Sequence, residues 1–403
     1  MEKLNKSMLN GKKNEDLFYS ITIREYIEYD SVFFDLNKNS EEGMSLRTYN
    51  IDNSMDLYIV NGTSDMNKLN KSGVFSHYEN YKNKNRNENI TLETKLTLPE
   101  FDFTDIFKEI WEIANTKNIP LKKIFWQKNY KYFEYINSSG FEGNGYEYAY
   151  SPGILIYNEQ HKCNEIYYKS VVNHDIISVY KNILDDIDND ELFDTKSDVV
   201  HYTYLTPSLF IHIIRCLIRS LNMNQEQNLR LNQQISKSLT IIENSIYNKS
   251  RVGDIDEDGC IRKEIPIIED GRMVHHDSKY DGNLLESSSV RKSYRDLPSQ
   301  ELNKMMVKNG DKLSMKDIKS FNNIMVITSI QGLEESYNAE SAQFQAMISY
   351  HIYNKGENIG CGNCMINNNI YDVLNRIISV TKELEYEDVG KILLPGVLIE
   401  GRI

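Results

Sequence analysis

No run of apolar residues in this chain is long enough to cross a bilayer, which excludes a helical membrane protein. Residues 1–14 are polar and lysine-rich without an apolar core, unlike a secretory signal. Cysteine is scarce and scattered, 5 in 403 residues, so there is no disulfide framework and a reducing cytoplasm is expected. Basic residues are outnumbered, 46 against 59 acidic for a net charge of -13, and no basic tract stands out. A nucleic-acid backbone is therefore not an expected partner. Walker A, dinucleotide and nucleophile-elbow signatures are all missing. What is present is length enough for two or three domains and 27 tyrosines, a composition that suits strands.

Apolar alternation predicts two strands over residues 17–34 joined near Asp30, and a third over 55–60. Residues 69–89 read as a polar surface loop and 91–98 as an edge strand. A helix is expected after Asp102, capped by Thr104 or Asp105, with Ile106, Ile110, Trp111 and Ile113 as its apolar face. Separate strands are expected at 124–126 and 132–136. The second closes at Asn137-Ser138-Ser139-Gly140, with Gly143 and Gly145 extending the turn. Residues 154–157 and 165–169 read as paired strands, and 179–190 as a helix.

Residues 198–205 read as a strand entering a helix that opens with Pro207, where the missing N–H costs nothing. Phe210, Ile211, Ile213, Ile214, Leu217, Ile218 and Leu221 make this helix apolar on most sides, with Arg215 and Arg219 on a narrow polar edge. His212 and Cys216 stand four residues apart on it, a spacing at which both can reach one metal; packing in the core is the competing reading. Residues 323–330 form a central strand, and 343–352 with 358–366 a hairpin. Residues 373–380 read as an amphipathic turn or two, and 391–399 as a strand pair broken at Pro395-Gly396.

The stretch 253–298 attracts competing readings. Asp254, Asp256, Asp258 and Gly259 fit the first half of a calcium loop, yet the twelfth position holds Ile265 instead of a bidentate Glu. Two short β-prone runs around Glu269-Asp270-Gly271 read as a tight hairpin. His275-His276 place neighbouring imidazoles on opposite faces of a strand, and Ser287-Ser288-Ser289 lies in a polar segment. Cys361 and Cys364 form a lone CxxC after a hairpin turn, more in keeping with two packed or exposed thiols than with a redox pair opening a helix.

Taken together, the acidic turn, the apolar-Glu-Asp-Gly hairpin and the Arg291-x-Ser-Tyr294 segment before Pro298 resemble the TldD/PmbA family, also described as modulators of DNA gyrase. The strand closing at Asn137-Ser138 and the ordered marks from Pro207 to Ile403 extend the resemblance. It implies an α/β (α+β) fold, with an N-terminal mixed α/β domain over 1–197 and a β-rich C-terminal domain over 198–403. The family pairs a zinc protease, the TldD type, with a related subunit, the PmbA or TldE type, that lacks the zinc helix. In the TldD type that helix carries His-Glu-x-x-x-His, and a Gly-Thr-Cys-Gly segment near the C-terminus adds a cysteine. Here the helix has one His and no Glu, and residues 387–391 hold no Cys. The resemblance therefore implies a PmbA/TldE-like, non-catalytic subunit with no metal of its own, zinc being expected only in a TldD-like partner.

Partners implied are that heterodimer or a homodimer, and an extended unfolded or modified peptide. Asn137, Ser138, Arg291 and Tyr294 are candidate peptide-facing or structural positions. Two alternatives stand beside this expectation. One is a self-sufficient metallohydrolase with atypical ligands such as His212, Cys216 or Cys260; the other is a homodimeric peptide-binding scaffold.

Overall fold

A computed structural model describes residues 15–49, 55–61, 74, 76–78, 91–92, 102–158, 163–172, 176–188, 200–223, 235–243, 249–253, 255–262, 264–273, 289–290, 295, 299–300, 305–310, 312–387 and 391–403. The fold is mixed α/β and mostly strand. The first half contributes β1 (Glu15–Tyr29), β2 (Phe34–Tyr49), β3 (Met55–Asn61), β4 (Ser76–Tyr78) and β5 (Thr91–Leu92). After helix α1 (Phe103–Thr116) come β6 (Leu121–Asn137), β7 (Glu142–Asn158), β8 (Cys163–Tyr168) and helix α2 (Ile176–Asp188). The second half adds β9 (Tyr202–Leu205), helix α3 (Pro207–Met223), β10 (Ile241–Glu243), β11 (Arg251–Val252), β12 (Ile265–Glu269), β13 (Arg272–Met273), β14 (Ser289–Val290), β15 (Ser299–Gln300) and β16 (Met305–Val307). A 3₁₀ turn (Met315–Ser320) leads to β17 (Ile324–Gln331), the short helix α4 (Leu333–Ser336), β18 (Gln343–Asn354), β19 (Glu357–Asn369), α5 (Ile370–Asn375), β20 (Ile377–Glu387) and β21 (Ile392–Glu400).

Apart from β14 and β15, which pair only with each other, these strands form two large sheets. One runs β11-β7-β6-β1-β2-β3-β4, with β5 and β8 also pairing β7. The other runs β13-β12-β10-β16-β21-β9-β17-β18-β19, with β20 beside β21. Each carries helices on one face. Phe107, Ile110 and Ala114 of α1, with Tyr180, Ile183 and Leu184 of α2, close a core over Trp126, Tyr150 and Ile154. Phe210, Ile213, Ile214 and Leu217 of α3 pack into the larger core with Ile327, Ile348, Leu394 and Val397. Among the described residues no helix is long and apolar enough to cross a membrane.

The hairpin β12–β13 turns at Asp270 (φ 48°) and Gly271 (φ 73°), the paired positive φ of a tight primed turn. β17 lies inside its sheet, parallel to β9 and antiparallel to β18. Several expectations need correction. The cap of α1 is Asp102, whose carboxylate accepts from Thr104 N at 3.0 Å, so the helix starts earlier than Thr104 or Asp105 implied. Residues 121–137 form one strand instead of two, because the polar middle stays in the ladder: Lys128 reaches Glu25 at 3.3 Å and Lys131 reaches Glu257.

Gly143 and Gly145 belong to β7 and not to a turn. A Cβ on Gly145 would stand 2.5 Å from the Phe133 ring, and one on Gly143 2.8 Å from Ile255. Residues 377–380 begin β20 instead of extending a helix. β21 is unbroken through Pro395. Between the pairs Val380↔Val397 and Leu384↔Pro395 the partner strand bulges, which removes the need for a proline N–H there.

Candidate functional site

Helix α3 occupies the place where the family resemblance puts a zinc helix. Its apolar residues face the core, leaving His212, Arg215 and Arg219 along the rim. The short helix α4 meets that rim through Glu334. His212 Nδ1 lies 2.6 Å from Glu334 Oε1, and Arg215 donates to the same oxygen at 3.1 Å. Arg219 donates to the Glu334 carbonyl at 2.9 Å. Burial pushes the Glu334 carboxyl upward, but the bonds from His212 and Arg215 outweigh it and hold the group below its ordinary value. One turn on from His212, Cys216 is 0% exposed. Burial, followed by the nearby Glu334 charge, pushes its thiol up to about 12. The Ser220 and Tyr337 hydroxyls bond to each other beyond it.

This donor set does not fit zinc. A structural or catalytic zinc takes at least three protein ligands, with cysteine as thiolate. Here α3 offers two candidate donors, His212 and the buried Cys216. Among the described residues no group of three or more His, Cys, Asp or Glu gathers to hold a metal ion.

The acidic turn of residues 255–260 is the second feature. It is neither an exposed hairpin nor an open cation loop; all six residues are buried. β11 carries the chain onto the first sheet, pairing Arg251 with Glu147 and Val252 with Tyr146. Ile255 then enters a pocket of Phe18, Phe133, Tyr135 and Phe141. The Asp256 carboxylate accepts from the backbone N–H of Asp258 at 3.0 Å and of Cys260 at 2.6 Å. Asp258 meets Arg47 at 2.7 Å, and Arg47 also holds Asp16 at 3.0 Å. Glu257 meets Lys131 at 2.5 Å. The carboxylates are thus taken up by protein cations and backbone, which overturns the calcium reading; Asp254 lies outside the described residues. The turn ties the second half of the chain to the first sheet.

Asn137 and Ser138 build the turn after β6. Asn137 Oδ1 accepts from the N–H of Ser139 and of Phe141, both at 3.0 Å. Ser138 Oγ accepts from Glu15 N at 3.1 Å. Arg291, Tyr294, His275 and His276 lie outside the described residues. Cys361 is buried while Cys364 faces Arg402 Nη2 at 3.4 Å, and none of the described cysteines, including buried Cys260, is in a disulfide. Sequence reasoning did not single out Glu334 or Lys131, and it met Arg47 only as the end of a Gly-x-x-x-Arg pattern before β3, with no partner assigned. Each meets at least one partner more than a hundred residues away, and no local pattern marks such a pairing.

Two helix-backed sheets, joined by a buried acidic turn, define a mixed α/β protein that is mostly strand. Residues 198–402 match the model of the PmbA/TldA metallopeptidase C-terminal domain, and the chain belongs to the PmbA/TldD metallopeptidase family. Among solved structures it is similar to TldE from Thermococcus kodakarensis, at 13% identity and a TM-score of 0.73, over 98% of this chain and 97% of that one. A candidate modulator of DNA gyrase from Thermotoga maritima aligns at 13% identity and a TM-score of 0.71, covering 96% and 95% of the two chains. Another from Bacteroides thetaiotaomicron aligns at 14% identity and a TM-score of 0.67, covering 98% and 95%. At these identities the likeness is one of fold. No curated protein matches the chain in sequence.

Proposed function

We propose that this chain is the non-catalytic, TldE-like subunit of a cytoplasmic zinc metallopeptidase complex that acts on extended, unfolded or modified peptides. A TldD-type partner supplies the zinc, and this chain divides near residue 198 into an α/β domain and a C-terminal domain of the family type. The observation that carries the reading is the state of α3. It carries one histidine, His212, and one cysteine, Cys216, which is sealed in the core, and among the described residues no third donor gathers with them. Sheet edges suit an extended peptide, since backbone pairing gives affinity with little sequence selectivity.

The test is co-expression with a His-Glu-x-x-x-His protein from the same genome. The expected result is a co-purifying complex that cleaves unfolded peptides, with activity within about twofold when this chain carries His212→Ala. Peptide hydrolysis by this chain alone, abolished by His212→Ala, would overturn the proposal and favour a self-sufficient enzyme.

A further inference from the structure

The strands of the first sheet outrun the helices that back them. α1 and α2 close their core over Trp126, Tyr150 and Ile154, at one end of the strands. The same face continues along β1, β2, β3, β6 and β7. Its register is direct: Tyr19 pairs with Met44 and Glu134, Ile21 with Glu42 and Tyr132, and Ile23 with Ser40 and Tyr130. The apolar cluster on it draws on no helix among the described residues. Leu17, Ile21, Met44 and Leu46 are its buried floor, while Ile23, Tyr58, Tyr130 and Tyr146 are only half-buried.

Two features set this stretch apart. It is rich in tyrosine: the Tyr132 ring lies 4.9 Å from that of Tyr146 and 6.5 Å from that of Tyr19, and Tyr146 lies 6.2 Å from Tyr130. Its charge also has one sign. Over the rungs from Glu15 to Ile23, Glu15, Glu42, Asp56, Glu134 and Glu142 share the face, and these strands direct no Lys or Arg to it. The cations of the same rungs, Arg47 and Lys131, belong to the opposite face, where the acidic turn meets them. Tyrosine hydroxyls orient the acids: Tyr19 donates to Glu42 Oε1 at 2.7 Å, and Tyr132 meets Glu134. A phenol positions a carboxylate without cancelling its charge.

We propose that this face binds an extended peptide segment with lysine or arginine side chains at alternate positions. The quadrupole of an aromatic ring attracts an ammonium or guanidinium group, and a nearby carboxylate supplies the countercharge. From β3 to β7 the face crosses five strands. At strand spacing that is about 19 Å, the length of about six extended residues. A single small cation would use little of that length, and a nucleic-acid backbone would be repelled. The inference names the substrate class of the proposed function and rests on that reading for the peptide's fate; the binding belongs to this chain alone.

The test is fluorescence anisotropy with the full chain and a labelled hexapeptide of alternating lysine and serine, compared with its glutamine counterpart. The lysine peptide is expected to bind at least about tenfold more tightly. Glu42→Gln/Tyr130→Leu should weaken it at least about fivefold with unchanged melting, whereas Tyr130→Phe, which keeps the ring, should bind as wild type does. Glu269→Gln/Asp270→Asn removes charge from the exposed turn of the second sheet and should leave binding unchanged. Equal binding of the two peptides would overturn the inference. So would a loss in the turn variant as large as in the Glu42 variant, the mark of diffuse attraction to an acidic chain. Selective binding by a chain that joins no protease would leave this inference standing and remove the proposed function. A protease complex that cleaves both peptides alike, with no preference in this chain, would do the reverse.

Discussion

Replacing Arg47 by Met strands two carboxylates. The guanidinium is 2% exposed and holds Asp258 at 2.7 Å and Asp16 at 3.0 Å, and both acids are 6% exposed. Removing one partner of a buried ionic group leaves uncompensated charge, at a cost of about 3–5 kcal/mol. In a unit of this size that lowers the melting temperature by on the order of 10 °C. Both tryptophans, Trp111 and Trp126, lie in or against the core over the first sheet, so fluorescence during urea unfolding reports that unit. Far-UV circular dichroism shows whether the second sheet unfolds with it. Restoring neutrality with Asp16→Asn and Asp258→Asn in the Arg47→Met background should recover most of the loss, because the cost lies in unpaired charge and not in a missing attraction. An Arg47→Met loss below about 1 kcal/mol would refute the reasoning, since that is the value of an exposed pair.

The Glu334 cluster carries a pH signature. Its carboxyl titrates below the unfolded value, so its contribution is complete above the ordinary carboxylate range and is lost as pH falls through the lowered value. Glu334→Gln should therefore cost about 1–3 kcal/mol at neutral pH and progressively less in acid; a difference that grows in acid would contradict this assignment. Cys216 should resist alkylation in the native protein and react only on unfolding, because its thiol is both sealed and held protonated. Mass spectrometry after a short iodoacetamide pulse reads this directly.

Much of the frame was legible in the sequence because it is written in local patterns. The strand–Pro207–helix passage, the central strand at 324–331, the Glu-Asp-Gly hairpin and the β18–β19 hairpin all follow from periodicity and turn chemistry. Errors arose where distant residues decide. Polar residues in the middle of β6 looked like a break because their acidic partners, Glu25 on β1 and Glu257 in the acidic turn, come from elsewhere in the chain. Pro395 looked like a strand end because the bulge that accommodates it is in β20. The acidic turn was legible only as an incomplete cation loop, with Ile265 where a bidentate Glu belongs. Aspartates two apart suggest a cation, and nothing nearby reveals that Arg47 and Lys131 fill that role. The family resemblance rested on the order of many weak marks, which survives sequence divergence better than any one of them.

The central claim is that this chain is the subunit without zinc. Elemental analysis of the untagged chain, expressed alone, tests it most directly. The account predicts zinc well below one per chain, unchanged by His212→Ala or Cys216→Ala. About one zinc per chain, lost with either substitution, would contradict it and identify an unusual metalloenzyme.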